Sequence, residues 1–428
     1  MRVKKSIFNN RVELDGKIYY FNSLTNAIVQ LDNRKYEKEI LNDISFLENK
    51  EVKKTNKYLK LGFVVNKNFS EYKLIEYSHQ KNKFEQDSLN LELFPSYFCN
   101  LKCDFCTLKK LCKDENFNVK KTINYFNNVS KFINKQSIKK IKISIFGGEP
   151  LILFDYIIDF LKKIHKEKTV YTNIVTNGTL LNKTIIKKAI NIKKITNFQF
   201  TIDGLPSYHD KAKGSVNSFN KTINGINTLI NSKYNKYISI RINISNKNKN
   251  SISNLMTLLN KKIENYNNLI YYPAFIHNKN NVVENNYCIS PVNYYKYLEI
   301  FYNLCTKLKL KTEIKLSPLL KNCTYMRENS FVIAPDLKLY KCIDEQNNKE
   351  NCIGNISNGN LNLYAFHNNG RLKHFNLISE SFLTNKRCRS CSWLPICRGG
   401  CPLDKKNDYC KELMKRKLKN YIKFKYLA

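Results

Sequence analysis

Among its 428 residues the chain has no uninterrupted apolar run long enough to span a bilayer. Its first residues, MRVKKSIFNNRVELDG, carry charge but no apolar core, so they do not read as a secretory signal, and a cytoplasmic location is expected. Histidine is scarce, with six residues, which disfavours imidazole-based metal chemistry. Acidic residues are few: 35 Asp and Glu against 73 Lys and Arg, a net charge of +38. Such an excess admits phosphate contacts with nucleic acid, or attraction of an acidic peptide. The lysines, however, are spread along the chain among Asn and Ile instead of forming one stripe. That pattern follows from AT-rich coding, and nucleic acid is not the expected partner. No internal repeat or long low-complexity linker is present, only Asn/Lys-rich loops such as Asn246–Asn250 and Asn278–Asn281. The length implies two or three domains, and the 42% hydrophobic content is that of an ordinary globular protein.

Cysteine, by contrast, is plentiful, at 14 residues. A reducing compartment excludes disulfides as their general purpose, so metal ligation is the better reading. Cys99, Cys103 and Cys106 stand in SYFCNLKCDFC with the spacing C-x3-C-x2-C. Three thiolates so placed can hold three irons of a cubic [4Fe–4S] cluster and leave the fourth iron open to a small molecule. Structural zinc normally takes four protein ligands. A second group, Cys388, Cys391, Cys397 and Cys401, lies in CRSCSWLPICRGGC, with Cys410 after it and Cys323 and Cys342 before.

Patterning divides the chain at about residues 87 and 300. In 1–87, RVELDGKIYYFN and AIVQLD alternate as strands around an Asp15-Gly16 turn. Helical patterns follow near Tyr36–Leu47 and Glu51–Leu61, then the strand GFVV and a polar helix over Ser70–Phe84, together a winged-helix-like module. From 88 to 300, strands are predicted at Leu89–Phe94, Ile141–Phe146, Val170–Thr176, Asn197–Ile202, Ile238–Ile244 and Leu269–Phe275, with helices between them. This alternation predicts a parallel sheet with outer helices, a partial TIM-like (β/α)6 barrel whose chemistry sits at the C-terminal strand ends. Residues 301–428 read as cysteine-dense and irregular.

Further motifs fall at those strand ends. Gly147-Gly148-Glu149-Pro150 follows the second strand, Thr176-Asn177-Gly178 ends the third, and Thr201-Ile202-Asp203-Gly204 ends the fourth. Glycines allow close backbone approach, and a carboxylate accepts hydrogen bonds from an ammonium group. By themselves these are also turn motifs, with Pro150 at a first helical position. Following the cysteine triplet, they resemble the radical SAM enzymes. That resemblance implies S-adenosylmethionine chelated to the open iron, with Phe105 by the adenine and Gly147, Gly148, Glu149 and Pro150 at the methionyl amino group. It also implies Thr176 and Asn177 at the cofactor and the Thr201 hydroxyl on the ribose. Lys213, in HDKAKG, stands where the family has an Arg meeting the methionyl carboxylate, and Arg241 is a second candidate cation. Lys lacks the bidentate fork of Arg.

The C-terminal cysteines closely resemble a SPASM domain, which carries two auxiliary [4Fe–4S] clusters. The resemblance implies one cluster on Cys388, Cys391, Cys397 and Cys410, and three corners of another on Cys323, Cys342 and Cys401. Its fourth place falls to Cys352 or Cys305, or stays open to a substrate thiolate. Asp336 is followed by Leu337 where the family has a glycine. Within SPASM proteins, anaerobic sulfatase maturases carry an Asp after the second auxiliary cysteine, where this chain has Ile343. Peptide maturases often carry an N-terminal precursor-recognition domain, which 1–87 resembles.

The expectation is therefore a radical SAM peptide maturase with three [4Fe–4S] clusters. It cleaves S-adenosylmethionine reductively and abstracts a hydrogen from a precursor peptide whose leader binds the N-terminal domain. A thioether crosslink from Cys to carbon is the preferred product, and a flavodoxin- or ferredoxin-type donor supplies electrons. The alternatives are formylglycine formation on a sulfatase, carbon–carbon crosslinking or epimerisation, and a nucleic-acid-binding module. No side chain is assigned as catalytic.

Overall fold

The computed structural model describes residues 3–31, 52–109, 111, 117–276, 278, 283–313, 316, 323–379, 382–403 and 410–427. The expected helix at Tyr36–Leu47, Cys112 and most of the Asn278–Asn281 loop lie outside these residues. Contacts divide the chain into two compact units: Met1–Phe84 with Ile314–Arg327 and Leu377–Ala428, and Glu85–Glu313 with Glu328–Asn376. This partition runs through the 301–428 segment.

In the first unit, β1 (Val3–Lys5) pairs antiparallel with β5 (Val64–Asn66). Strands β2 (Asn9–Leu14), β3 (Lys17–Asn22) and β4 (Ile28–Leu31) form a separate antiparallel sheet in the order β2-β3-β4. Asp15 and Gly16 both have positive φ, 52° and 74°, which matches a tight hairpin turn to the strands' twist. Helix Val52–Leu61 follows, and helix Glu71–Lys83 begins where Ser70 accepts from the Lys73 amide. The Glu71 carboxylate is buried, yet satisfied by the Ser6 hydroxyl at 2.5 Å and the Ile7 amide at 3.0 Å.

The second unit is α/β. Strands β6 (Ser88–Leu93), β7 (Lys140–Ile145), β8 (Thr169–Thr176), β9 (Ile195–Ile202), β10 (Tyr237–Ile244) and β11 (Leu269–Phe275) lie parallel in consecutive order. Helices Val119–Lys135, Phe154–Lys163, Lys183–Ile190, Ser218–Ile230 and Ile252–Lys262 connect them, as the alternation predicted. One face of strands β6 to β10 is dry, as with Ile141, Ile143 and Ile145, or Ile238, Ile240, Ile242 and Ile244. The opposite face is half-exposed and polar, carrying Lys142, Asn173, Gln199, Ser239 and Arg241. The period of two sends polar residues to the barrel interior and apolar ones to the helices.

Two elements of this unit differ from expectation. Helices Pro206–Lys213 and Pro291–Lys307 are additional. The region after residue 328 is also regular: β12 (Ser330–Ile333) joins β6 in parallel, and β13 (Lys338–Tyr340), β14 (Gly354–Ser357) and β15 (Asn360–Leu363) follow antiparallel. Strands of three or four residues are too short to display a period. At the β12–β13 turn Leu337 has φ 63°, a left-handed conformation at a non-glycine residue. The strain, about 1–2 kcal/mol, is offset by burial of the Leu337 side chain.

Tyr125, on helix Val119–Lys135, ties that helix to the sheet extension by donating its buried hydroxyl to the Ile333 carbonyl at 2.9 Å. Tyr125→Phe is expected to lower stability by about 1 kcal/mol, read as an earlier denaturant midpoint with unchanged slope.

Candidate active site

Cys99, Cys103 and Cys106 lie in a segment without regular structure, so neighbours must fix it. They do so from two sides. Amides of the GGEP turn reach in: Gly148 donates to the Ser96 carbonyl at 3.1 Å and Glu149 to that of Phe98 at 3.0 Å. On the far side Lys102 donates to the Lys213 carbonyl at 3.1 Å and Asp104 to that of Ala212 at 3.0 Å, which joins the loop to the end of helix Pro206–Lys213. The glycines are needed for space. A Cβ on Gly148 would lie 2.0 Å from the Phe98 carbonyl oxygen, and one on Gly147, whose φ is 127°, would lie 2.4 Å from that of Ser96.

Glu149 is 2% exposed and its carboxylate is fully engaged. Oε1 accepts from the Thr176 hydroxyl at 2.6 Å and the Leu151 amide at 3.0 Å, and Oε2 accepts from the Asn177 amide at 2.8 Å. Burial raises its pKa while these bonds lower it, and burial prevails. Here the residue locks the β7 end to the β8 end. Pro150 is buried at the first position of the following turn. Asn177 and Thr179 continue the lock by bonding to the Asn100 side chain at 3.0 and 2.9 Å.

These pieces enclose a cavity of about 570 Å³, whose walls include the three cysteines, Gly147, Gly148, Thr176, Asn177, Thr201 and Lys213. A larger groove of about 720 Å³ lies between helices Lys183–Ile190 and Ser218–Ile230 and carries no cysteine or carboxylate. Phe105 is not on the cavity wall; its ring packs against Tyr287 at 5.8 Å. Arg241 is also off the wall, with its Nε donating to Asn243 Oδ1 at 3.0 Å.

Lys213 is nearly buried, with its ammonium 2.9 Å from the Asp203 carboxylate. Burial acts to lower its pKa, but Asp203 outweighs this and raises it. Burial would raise the Asp203 carboxyl, yet Lys213, His209 and the Asn243 amide at 2.7 Å hold it below the usual range. His209 is fully buried and its pKa falls to about 4 through burial, so it is neutral and its Nδ1 accepts from the Asp203 amide at 3.1 Å. Sequence reasoning quoted Asp203 and His209 within motifs without giving either a role, and did not name Asn243. The signal was present in TIDG and YHDKAKG, but their mutual contact is tertiary.

The chemistry of the donor set fits a cluster. Burial pushes the thiols of Cys99 and Cys103 up to about 11 and about 12, and Cys106 adds to both shifts, so the three sulfurs feel one another. Among the described residues no three His, Cys, Asp or Glu groups converge on one point as around a single ion. A four-iron cube does not require that convergence, because each thiolate takes its own iron. In the other group, Cys388 and Cys397 are each shifted upward by burial and by Cys391 and Cys410, so these four also share one neighbourhood. Three left-handed residues in succession, Arg398, Gly399 and Gly400, reverse the chain between Cys397 and Cys401. Cys323 and Cys401 belong to the first unit and Cys342 to the second. Cys305 is buried, and Cys352 is buried with its thiol 3.2 Å from the Gly354 carbonyl.

Residues 93–259 match the sequence profile of the Radical SAM superfamily. The chain carries a radical SAM domain. It is 27% identical over 382 residues to the cysteine-type anaerobic sulfatase-maturating enzyme of Clostridium novyi, a span of 80% of this chain and 97% of that one. Its fold is similar to native anSMEcpe with bound AdoMet, at TM-score 0.60 and 18% identity, over 78% of this chain and 98% of the other. It is also similar to Streptococcus suis SuiB bound to precursor peptide SuiA, at TM-score 0.56 and 16% identity, over 96% of this chain and all of the other. The chain is thus a radical SAM enzyme of α/β fold, related to sulfatase maturases. The superfamily implies S-adenosylmethionine and a [4Fe–4S] cluster. Among the described residues no helix is long and apolar enough to cross a membrane.

Two outcomes are expected. Gly148→Ala pushes the cysteine loop off the GGEP turn and abolishes iron retention by Cys99, Cys103 and Cys106, read by anaerobic iron counting. His209 is depressed from 6.5 to about 4, so its contribution is complete above pH 6.5 and is lost progressively as pH falls from there to 4. At pH 4 the loss is about 3 kcal/mol, and His209→Gln should remove that part of the acid slope in denaturation curves.

Proposed function

We propose that this radical SAM enzyme is a peptide maturase acting on a ribosomally made precursor, within the three functional segments 1–87, 88–300 and 301–428. The observation that carries the reading is coverage. The anSMEcpe fold leaves about a fifth of this chain unmatched, roughly the size of the N-terminal segment, whereas the precursor-bound SuiB fold leaves almost none. Among the described residues, β2 lies beside helix Cys410–Ile422 and β4 is the other edge of the N-terminal sheet. A leader peptide adding as a strand to β4 gains main-chain hydrogen bonds there.

In this reading Cys99, Cys103 and Cys106 hold the first cluster, which with bound S-adenosylmethionine supplies a 5′-deoxyadenosyl radical. Lys213 offers its ammonium to the methionyl carboxylate, pre-oriented by Asp203. The backbone of Gly147 and Gly148 would meet the amino group and Thr201 the ribose, with Thr176 and Asn177 beside the cofactor, while Phe105, packed on Tyr287 off the cavity wall, would have to leave that contact to reach the adenine. The polar barrel interior receives the peptide segment and keeps it out of bulk water. Auxiliary clusters fall to Cys388, Cys391, Cys397 and Cys410, and to Cys323, Cys342 and Cys401. With the fourth place of that cluster open, a substrate cysteine can ligate there, hence thioether formation on it. A flavodoxin- or ferredoxin-type protein is the donor, and the enzyme works in the cytoplasm.

Formylglycine formation is the second reading, favoured by the identity to the C. novyi enzyme. It lacks the carboxylate directly after Cys342, where Ile343 stands partly exposed.

Reconstituted protein should bind about twelve irons per chain, the sum of three four-iron clusters, and release 5′-deoxyadenosine on reduction with S-adenosylmethionine. Cys99→Ala should lose about four irons and all deoxyadenosine. Product mass then separates the readings: loss of two hydrogens with a thioether in a precursor peptide, against an aldehyde in a sulfatase-derived peptide. Bound zinc without cleavage would overturn both.

A further inference from the structure

Ser392, Trp393, Leu394 and Arg398, in the stretch between Cys391 and Cys401, contact the N-terminal sheet and helix of their own compact unit. The Ser392 carbonyl accepts from the Ser23 hydroxyl at 2.5 Å and from the Asn10 amide at 3.2 Å, and the Ser392 hydroxyl returns a bond to Asn10 Oδ1 at 2.6 Å. Trp393, 2% exposed, stacks on Phe21 at 5.8 Å. Leu394 fills a core with Phe8 and Ile75, against which Cys388 itself packs. Arg398 donates to the Ser78 hydroxyl at 3.0 Å. Tyr72 is close enough to Arg389 and Cys391 for both to act on its pKa, after burial.

This segment has little structure of its own. It contains four-residue helices at Lys386–Arg389 and Leu394–Cys397, then the left-handed run Arg398 to Gly400. Helices this short do not persist unaided. What fixes the segment is therefore its packing on the N-terminal sheet and, on the proposed ligand set, the group its sulfurs would hold. In small metal-held modules the binding energy of the metal is folding energy.

We infer that the site of Cys388, Cys391, Cys397 and Cys410 is the platform on which the N-terminal domain folds, so that filling this site and ordering residues 3–31 are one coupled step. The inference rests on the proposed ligand set but not on the identity of the substrate. It gives this cluster a structural role, because the filled site controls whether the peptide-recognition sheet is assembled. By linkage the dependence runs both ways, so docking of the sheet must also tighten retention of the cluster.

The test uses the full chain, reconstituted anaerobically with iron and sulfide, and hydrogen exchange read by peptide mass. Cys391→Ala is expected to speed exchange of residues 3–31 about tenfold or more while leaving the barrel strands Lys140–Ile145 and Tyr237–Ile244 as protected as in wild type. Cys99→Ala, which empties only the site on the barrel, should leave residues 3–31 protected. Conversely, Phe21→Ala should lose up to four irons per chain at limiting iron. Trp393 is the single tryptophan of the chain, so its emission in Phe21→Ala and Cys391→Ala should shift to the red as the stack opens. Equal protection of residues 3–31 in wild type and Cys391→Ala would overturn the inference. So would loss of protection spread equally over barrel and N-terminal sheet. Unchanged iron content in Cys391→Ala would refute the ligand set separately from the coupling.

Discussion

The cysteine loop at residues 99–106 has no helix or strand to define it, and the rest of the active site depends on how it is held. Two backbone bonds come from the GGEP turn and two go to the end of helix Pro206–Lys213. These four contacts join three strand ends, β6, β7 and β9, around the loop. A cluster bound there inherits its position from peptide groups, which have no rotamers to adjust. That explains why two glycines stand where any Cβ would collide with a carbonyl oxygen.

Charge is used sparingly inside the barrel despite the large surface excess. Asp203 and Lys213 form a buried pair, and every neighbour supports it: Asn243 on one oxygen, His209 on the backbone, and Arg241 one step further through Asn243. A lone buried ammonium would be expensive. Paired, it stays charged at the cavity wall and can meet a carboxylate without moving. A flexible lysine tethered by a buried carboxylate acquires some of the fixed direction that an arginine has by its own shape. The same logic applies to Glu149, a buried acid whose three bonds make it a cross-brace between strands.

The two cysteine groups are built differently. The first hangs in a loop between rigid strand ends and leaves a cavity beside it. The second sits in a segment packed against apolar side chains from the N-terminal part of its own unit, with Trp393 and Leu394 at the centre of that packing. One arrangement leaves room for a ligand, and the other removes it.

Much of this was legible in the sequence because it is local or periodic. The six strands of the barrel, their helices, the hairpin at Asp15-Gly16 and the polar helix after Ser70 follow from apolar spacing and turn chemistry. The cysteine triplet, GGEP, TNG and TIDG mark strand ends at fixed offsets, and five of their residues meet at one cavity with Lys213 and the cysteines. The sequence could not show what depends on distant partners. Strands β12 to β15 are too short for a period and exist because β6 offers them an edge. Asp203, His209 and Asn243 meet only when β9, β10 and helix Pro206–Lys213 are in place. Phe105 and Arg241 carry the right chemistry for the cavity, but packing turns one to Tyr287 and the other to Asn243. The pairing of the first 84 residues with a segment more than 300 positions away was decided by burial of Phe21, Phe8 and Trp393, which no local pattern records.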